Sequence, residues 1–320
     1  MTSPASAAEH GPLLARHSRD GSFSLWSEAF REGFHCAAGA VAEAEASFVA
    51  PSQLERFAPG SQLTVLEVAV GTGTNTAALL AAARSRGLRL RWWGLEIDPR
   101  PRDLALAEPA FRCAWPAPVL ADLEALLTGP TLLWGDARRR LPELPGGLMG
   151  ACDLVLHDAF SPRRCPELWT REFLDGLARR LAPQGRLISY SSAAAYRASL
   201  RALGLKLAAI RRVPGGAIPE GFAAAVPARW SGGTAASPSS LATGAGDDVL
   251  RPLSPMEEEH LRTRAAADYR DPGGRGTAAE ILAERLKRQA TMGGESSSAW
   301  RRRWGLERDG AGLGPADQAR

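Results

Sequence analysis

From residue 63 onward, short apolar runs alternate with glycine-containing turns and helix-like segments, and this alternation constrains the fold more than any other feature. The pattern predicts strands at residues 63–70, 90–96, 131–135, 152–157, 186–191, 206–212 and 222–226. It predicts helices at residues 76–83, 122–127, 166–181 and 193–203. Because apolar strands that alternate with helices form parallel sheets covered on both faces, we expect a doubly wound α/β domain with a mostly parallel, seven-stranded sheet.

The regions on either side of this domain differ from it in composition. Residues 1–20 are predicted to be a loose tail, and residues 21–60 a hairpin and helix that pack on the domain at 61–230. Residues 231–250 are rich in serine, glycine and alanine, which is typical of a flexible linker. Ser254 followed by Glu257 is a capping-box pattern, so residues 251–308 are predicted to be helical, and residues 309–320 to be disordered.

The sequence LEVAVGTGTN at residues 66–75 places a glycine turn directly after the first strand of the domain. Doubly wound folds bind ligands at the carboxyl ends of central strands, so Gly71, Gly73 and Asn75 are candidate cofactor contacts. Two glycines allow close approach of the backbone, and the following helix points N–H groups at the ligand. The third glycine of a dinucleotide-binding loop is absent, and Glu67 would repel a diphosphate. These features favour a cationic cofactor, S-adenosylmethionine, over NAD or FAD.

Two further acids follow later strand ends. Glu96 lies 23 residues after Gly73, where a carboxylate accepts both hydroxyls of a ribose, whereas Asp98 is more typical of a helix cap. Asp136 follows the next strand and is a candidate for contact with an adenine amino group. Glu96 or Asp136 alone could equally be a helix cap. Together with Glu67, in this order, they predict a class I, Rossmann-like, S-adenosylmethionine-dependent methyltransferase.

The stretch CDLVLHDAFSPRRCPELW at residues 152–169 holds the most specific signal. Asp158 follows a strand, where a transferase would place its acceptor, and Phe160 and Pro162 offer an apolar wall. A primary amine has a pKa near ~10 and is protonated at neutral pH, so a carboxylate that takes its proton makes it nucleophilic. We predict that Asp158 is that carboxylate and that its own pKa is raised by partial burial. The alternative is a helix-capping aspartate in a connecting loop.

Three stretches, at residues 20–44, 68–80 and 157–204, together resemble the methyltransferase domain of the MnmC family. The segment after residue 254 resembles the standalone cyanobacterial form of that family, which lacks the flavin-dependent oxidase half. The resemblance implies that S-adenosylmethionine methylates the aminomethyl group on the wobble uridine, 2-thiolated or not, of certain tRNAs. It also implies that the product is 5-methylaminomethyl-uridine and that neither FAD nor a metal ion is needed.

The same resemblance assigns roles to individual residues. It implies that Asp158 is the catalytic aspartate and that Glu67, Gly71, Gly73 and Glu96 form the cofactor motif.

Aromatic residues are the remaining candidates for the acceptor pocket. Phe34, His35 and Trp169 could stack a splayed wobble base, although a tryptophan on a helix is more often part of the core. The sequence WRRRW at residues 300–304 suits contact with RNA phosphates and bases, or equally a helix end whose tryptophans pack back on the domain.

Several function classes are disfavoured by the sequence. The chain lacks a signal-peptide pattern at its start and an apolar run of about 18 residues, so we expect a cytoplasmic protein that does not contact a membrane. Four scattered cysteines and five separated histidines argue against a metal site. Three alternatives remain open: a methyltransferase for another amine or small molecule, a cofactor-binding RNA-interaction module without catalysis, and a nicotinamide oxidoreductase, which Glu67 disfavours.

Overall fold

The computed structural model describes residues 10–36, 39–211, 233–241 and 249–306, and the predicted strand 222–226 and tail 309–320 lie outside them. The strands within these ranges are β1 Leu13–His17, β2 Phe23–Ser27, β3 Glu32–Gly33, β4 Gln62–Val68, β5 Arg89–Glu96, β6 Leu132–Trp134, β7 Cys152–His157, β8 Leu181–Ser189, β9 Lys206–Ile210, β10 Gly233–Ser237 and β11 Leu250–Arg251.

The α-helices are α1 Ala40–Ala44, α2 Ala50–Ser52, α3 Thr74–Ser85, α4 Arg100–Ala107, α5 Pro109–Cys113, α6 Ala117–Thr128, α7 Ala137–Arg140, α8 Arg171–Ala178, α9 Ala194–Ala202, α10 Pro255–His260, α11 Ala278–Thr291 and α12 Ser297–Arg303. A π-helical turn, Glu45–Val49, joins α1 to α2. Short 3₁₀ turns are Leu54–Arg56, Leu141–Glu143, Gly146–Leu148, Pro166–Trp169 and Arg264–Ala266.

The main sheet has the strand order β11-β9-β10-β8-β7-β4-β5-β6. The five strands from β8 to β6 are mutually parallel, whereas β10 runs antiparallel to both β8 and β9, and β11 antiparallel to β9. This confirms the predicted doubly wound, mostly parallel α/β fold. Within the described ranges the sheet has eight strands, where we expected seven.

One strand of the sheet lies inside the predicted linker, so that prediction is wrong for residues 233–237. β10 has the sequence GTAAS, which resembles a linker in composition, yet every one of its residues is buried. Small side chains are required there because a Cβ atom on Gly233 would lie 2.5 Å from the carbonyl oxygen of Ser189. The strand is therefore held by ladder hydrogen bonds and close packing rather than by large apolar side chains.

The N-terminal region forms a second sheet of three antiparallel strands in the order β1-β2-β3. The prediction of a loose tail over residues 1–20 is wrong for residues 13–17, because these form β1 and pair with β2 in register from Leu13 to His17. β1 is mostly exposed, whereas Phe23 and Leu25 of β2 are buried in the core. The second sheet therefore packs on the domain through β2.

Helices cover both faces of the main sheet. Leu79 of α3 and Leu123 of α6 pack against Val65 on one face. Leu174 of α8 and Leu200 of α9 belong to a separate apolar cluster on the other face. The layers bring the carboxyl ends of β4, β5 and β7 to one open edge, where the residues that follow each strand are free to form a site.

The C-terminal segment packs against the domain through charged side chains. Capping boxes at Ser254 and Thr277 begin α10 and α11, in agreement with the pattern seen in the sequence. Glu257 forms a buried ion pair with Arg197 of α9 at 3.0 Å. Trp300 is fully buried and stacks on His260, so the first tryptophan of WRRRW packs inward. Among the described residues, no helix is both long and apolar enough to cross a membrane.

Candidate active site

A cavity lies outside the carboxyl ends of the central strands. β4 pairs with β5 on one side and with β7 on the other, so the order of strands along the sheet reverses beside β4. Residues that follow these three strands line the cavity, together with residues of the N-terminal sheet, and its volume is about 580 Å³. Such a position and size are typical of cofactor and substrate sites in doubly wound folds.

The turn after β4 has an unusual backbone. Ala69, Gly71 and Gly73 have φ angles of +61°, +58° and +80°, all in the left-handed region. Glycine tolerates this conformation, whereas Ala69 is strained there, and such strain concentrates at functional sites. A Cβ atom on Gly71 would lie 3.2 Å from Cδ1 of Phe34, and one on Gly73 would lie 2.8 Å from Cδ1 of Leu127. Gly71 therefore leaves bare backbone at the cavity wall, shortly before the N-terminus of α3, which fits a ligand that approaches closely, whereas Gly73 allows the turn to pack on α6.

Glu96, the last residue of β5, lines the cavity and organises this turn. Its Oε2 accepts a hydrogen bond from the Gly71 N–H at 2.8 Å. Its Oε1 accepts from the N–H groups of Ile97 at 2.7 Å and Asp98 at 2.9 Å. Burial raises the pKa of Glu96, while the three backbone donors favour its charged form. These donors fill both lone pairs of Oε1 and one of Oε2, so one lone pair of Oε2 is left to accept a ligand hydroxyl.

Asp158 stands at the end of β7, at the acceptor side of the cavity. Its Oδ2 accepts a hydrogen bond from Nδ2 of Asn75, the second residue of α3, at 2.7 Å. Burial raises the pKa of Asp158 well above its usual range, and the nearby charge of Glu43 raises it further. Asp158 and Asn75 both line the cavity, so the strand end and the helix start bring an acid and an amide into contact.

The N-terminal sheet closes the cavity on its remaining side. Phe160 stacks on Phe30 with ring centroids 4.5 Å apart and meets Phe34 edge to face at 5.1 Å. Glu32 accepts hydrogen bonds from the backbone N–H of Ser161 at 3.1 Å and from its hydroxyl at 2.7 Å. The loop that carries Asp158 is therefore fixed to the N-terminal sheet by an aromatic cluster and a carboxylate.

His35 is a neutral part of the same wall. Its Nδ1 lies 3.0 Å from the hydroxyl oxygen of Ser24, and burial lowers its pKa to about 4. At neutral pH the ring therefore offers a hydrogen-bonding edge without positive charge.

Glu67 lies beneath the turn rather than at the cavity wall, which corrects the expectation that it faces the cofactor. Its Oε2 accepts hydrogen bonds from the Thr76 hydroxyl at 2.5 Å and the Trp92 indole N–H at 3.0 Å. Its Oε1 is buried without a hydrogen-bond partner among the described residues. Burial raises the pKa of Glu67 to about 7, although the two hydrogen bonds lower it.

This buried acid predicts a pH-dependent stability. The pKa of Glu67 is about 7 in the folded chain and lies near 4.5 for an ordinary glutamate, so the folded chain binds the extra proton between these values. The free energy of unfolding therefore falls as the pH rises from 4.5 through 7, and Glu67→Gln should remove about 3 kcal/mol of this fall. Urea titrations of both proteins across this range check it, and parallel stability curves would contradict the assignment.

Four other predicted site residues also lie away from the cavity wall, and one of them is Gly73, which faces Leu127 of α6 instead. Asp136 accepts from the Arg138 N–H at 2.9 Å as the cap of α7, and forms an ion pair with the same arginine. Trp169 is fully buried, and its indole N–H donates to the carbonyl of Phe160 at 2.8 Å. Pro162 is partly exposed in the loop, and does not line the cavity. Trp169 therefore supports the loop from inside the core, as a tryptophan on a helix usually does.

The structure adds cavity residues that we did not predict from the sequence. Ala69, Glu32, Glu43 and Tyr190 line the cavity, and the Tyr190 hydroxyl donates to the carbonyl of Ala159 at 2.9 Å. Both glutamates come from the N-terminal extension, far from Asp158 in sequence, so no spacing rule connects them. Only the resemblance of residues 20–44 to a known family indicated that this segment matters.

Comparisons with known proteins agree with this geometry. Residues 119–217 match a family described as S-adenosyl-L-methionine-dependent methyltransferase. The fold is similar to the crystal structure of MNMC2 from Aquifex aeolicus, with a TM-score of 0.69 and 28% identity over 88% of this chain and 86% of that one.

Longer relatives match in sequence over part of their length. The tRNA 5-methylaminomethyl-2-thiouridine biosynthesis bifunctional protein MnmC of Azoarcus sp. (strain BH72) is 32% identical over 213 residues, 59% of this chain and 32% of that protein. The protein of the same name from Ralstonia nicotianae is 31% identical over 64% of this chain and 33% of that protein. The chain thus spans about a third of the length of these relatives.

A glycine turn beside a buried carboxylate, on a sheet of this topology, defines a class I methyltransferase, and the matches agree. The chain is an S-adenosyl-L-methionine-dependent methyltransferase. Within that class its similarity is to MnmC proteins and to the MNMC2 structure.

Proposed function

We propose that the chain methylates the 5-aminomethyl group of the wobble uridine or 2-thiouridine of tRNA, giving 5-methylaminomethyl-(2-thio)uridine. The observation that carries the proposal is the position of Asp158, which lines the same cavity as the turn that Glu96 organises and contacts Asn75 at the start of the helix after that turn. The names of the MnmC relatives, which refer to 5-methylaminomethyl-2-thiouridine biosynthesis in tRNA, support the same substrate. Such a substrate assigns the reaction to the cytoplasm.

The residues of the turn would hold the cofactor. We assign a ribose hydroxyl to Glu96 and a close backbone contact to Gly71, with Asn75 between cofactor and acceptor. The bound cofactor supplies an electrophilic methyl group on a positively charged sulfur. An acid-lined cavity suits such a cation, because opposite charges attract strongly where water is excluded. The left-handed glycines and the fixed carboxylate fit this ligand without rearrangement of the turn.

Asp158 would prepare the acceptor. A primary amine has a pKa near ~10 and enters largely as ammonium at neutral pH. Its deprotonation at a pH about three units below that pKa costs about 4 kcal/mol. The raised pKa of Asp158 makes it a better proton acceptor than an ordinary carboxylate. The amine nitrogen would then use the freed lone pair to bond to the methyl carbon as the bond from that carbon to sulfur breaks, with S-adenosylhomocysteine as the leaving group, and the proton would stay on Asp158 or pass to water. The hydrogen bond from Asn75 keeps the carboxylate turned toward the cavity.

The rest of the cavity would recognise the uridine. Phe34 and Phe160 are in edge-to-face contact and offer apolar surfaces beside Asp158, and His35 offers a neutral ring edge. Splayed bases are commonly held by aromatic side chains in this way. A methyltransferase for another small amine would need the same acid but not a cavity mouth that admits a polynucleotide.

The test is transfer of a labelled methyl group to defined tRNA. Purified protein is incubated with labelled S-adenosylmethionine and tRNA that carries 5-aminomethyl-(2-thio)uridine, and the nucleosides are then separated. We expect label only in 5-methylaminomethyl-(2-thio)uridine. Matched tRNA with unmodified uridine at the wobble position is the control and should remain unlabelled. Label in a free amine but not in tRNA would favour the small-molecule alternative, and cofactor binding without any transfer would favour a binding module.

A further inference from the structure

The cavity lining is acidic at its centre and carries arginines on one strand of the N-terminal sheet. Its acids are Glu32, Glu43, Glu96, Asp98 and Asp158, whereas β1 and the turn after it contribute Arg16 and Arg19. Both arginines are exposed. The acid in the same turn, Asp20, accepts hydrogen bonds from the backbone N–H of Ser22 at 2.9 Å and from the hydroxyl of Ser22 at 2.7 Å. A polyanion that reached the acids unaided would be repelled, so an RNA substrate needs positive charge at the mouth.

The register of β1 and β2 places Arg16 on the same face of the N-terminal sheet as Trp26. Leu14 pairs with Trp26, and Arg16 pairs with Ser24, so these four side chains share one face of the N-terminal sheet. The guanidinium carbon of Arg16 lies 4.3 Å from the centroid of the Trp26 ring. Ser24 on the same face contacts His35, so the face continues into the acceptor side of the cavity.

We infer that this face of the N-terminal sheet, with Arg16, Arg19 and Trp26, binds single-stranded RNA next to the methylated nucleotide. The inference rests on the proposed function and deepens it by naming the surface that receives the RNA. A nucleotide splayed into the cavity leaves its neighbours and their phosphates outside. The Arg16–Trp26 pair provides a planar, cationic surface for a neighbouring base, and Arg19 provides charge for a phosphate.

The test measures RNA binding directly, so it does not depend on methyl transfer. The probe is an RNA hairpin with a single-stranded loop, compared with a duplex of the same stem sequence without a loop, in the presence of S-adenosylhomocysteine. Arg16→Ala and Arg19→Ala should each weaken hairpin binding by about tenfold, which is the effect of one charge-assisted contact. The double variant should also lower the slope of log Kd against log salt by about 1.4, as for two lost phosphate contacts on a single strand.

Two controls separate docking from folding and from general charge. Arg86→Ala removes an exposed arginine that precedes β5, at the opposite edge of the sheet, and should bind the hairpin as wild type does. Arg16→Lys keeps the charge but loses the planar stack, so it should restore the salt slope and only part of the affinity. If Arg16→Ala unfolds, Arg19→Ala alone still decides the matter.

The outcomes of the two proposals are distinct. Hairpin binding that is unchanged in both variants, or lost equally in Arg86→Ala, overturns the docking surface whether or not methylation occurs. Weakened hairpin binding without any methylation of wobble uridine keeps the surface and overturns the proposed reaction. Equal weakening for the hairpin and the loop-free duplex overturns the assignment to single-stranded RNA.

Discussion

Replacement of Asp158 by alanine or asparagine should lower turnover by about a hundred- to ten-thousandfold, the range for loss of a positioned proton acceptor. The reason is that Asp158 lines the cavity after β7, where its hydrogen bond from Asn75 holds it. The turn that is proposed to hold the cofactor follows a different strand, β4. Affinity for S-adenosylmethionine should therefore change little. Single-turnover methylation and calorimetric titration of the cofactor measure the two effects separately.

A second aspartate on the same strand provides a matched control. Asp153 lies near the start of β7, away from the cavity, and its Oδ2 accepts from the Thr64 N–H at 2.8 Å. Asp153→Asn should keep normal turnover, although it loses some stability. Full activity of Asp158→Asn, or equal loss in Asp153→Asn, would show that Asp158 is only a structural residue of its loop.

The pH dependence of the same reaction follows from the environment of Asp158. Burial and the charge of Glu43 raise its pKa, so the group is protonated over a range where an ordinary aspartate, with a pKa near ~3.9, is charged. A proton acceptor must be deprotonated to work. The acid limb of kcat/KM should therefore lie well above pH ~4, and Asp158→Asn should remove that limb from its residual activity.

Periodicity predicted those elements whose apolar side chains carry the fold. β5 and β7 coincide with the predicted runs because each buries several large apolar residues, and α3 begins directly after the glycine turn. β1 and β10 were missed for different reasons. β1 is a short, mostly exposed edge strand whose sequence, LLARH, does not alternate apolar and polar residues, and β10 is buried but built from residues too small to give a hydrophobic signal. The predicted helix 166–181 is divided because Thr170 caps α8.

For the site residues, too, the sequence predicted positions along the strands better than side-chain directions. Glu96 and Asp158 both line the cavity, as expected of residues at the ends of their strands. Glu67 lies one residue before the end of β4 and turns beneath α3, where Thr76 and Trp92 bind it. Asp136 is drawn to Arg138, which also pairs with Asp271 of the C-terminal segment. Asp136 thus takes the helix-cap role that the sequence left open, through a partner two residues away. The direction of Glu67 could not be deduced from the sequence, because Trp92 lies on a different strand.

Glu96→Gln should weaken binding of S-adenosylmethionine by about 10- to 100-fold. The carboxylate accepts three backbone hydrogen bonds, from Gly71, Ile97 and Asp98, and its remaining lone pair, on Oε2, is the proposed acceptor for a ribose hydroxyl. A hydrogen bond to a charged group contributes about 1.5–3 kcal/mol, and loss of one accounts for this decrease. An amide at this position also turns an N–H donor toward a backbone donor, which distorts the turn. Calorimetry with S-adenosylmethionine and with S-adenosylhomocysteine measures the loss.

The comparison of these two ligands locates the effect. Both carry the ribose, and only S-adenosylmethionine carries the positive sulfur, so loss of ribose contacts should weaken both by the same factor. Glu108→Gln, which alters the cap of α5 on the same β5–β6 connection, is the matched control and should bind both ligands as wild type does. A loss confined to S-adenosylmethionine would mean that Glu96 acts through its charge on the sulfonium. Unchanged binding of both would mean that this carboxylate serves only to hold the Gly71–Gly73 turn, and the cofactor would then have to be held by other residues.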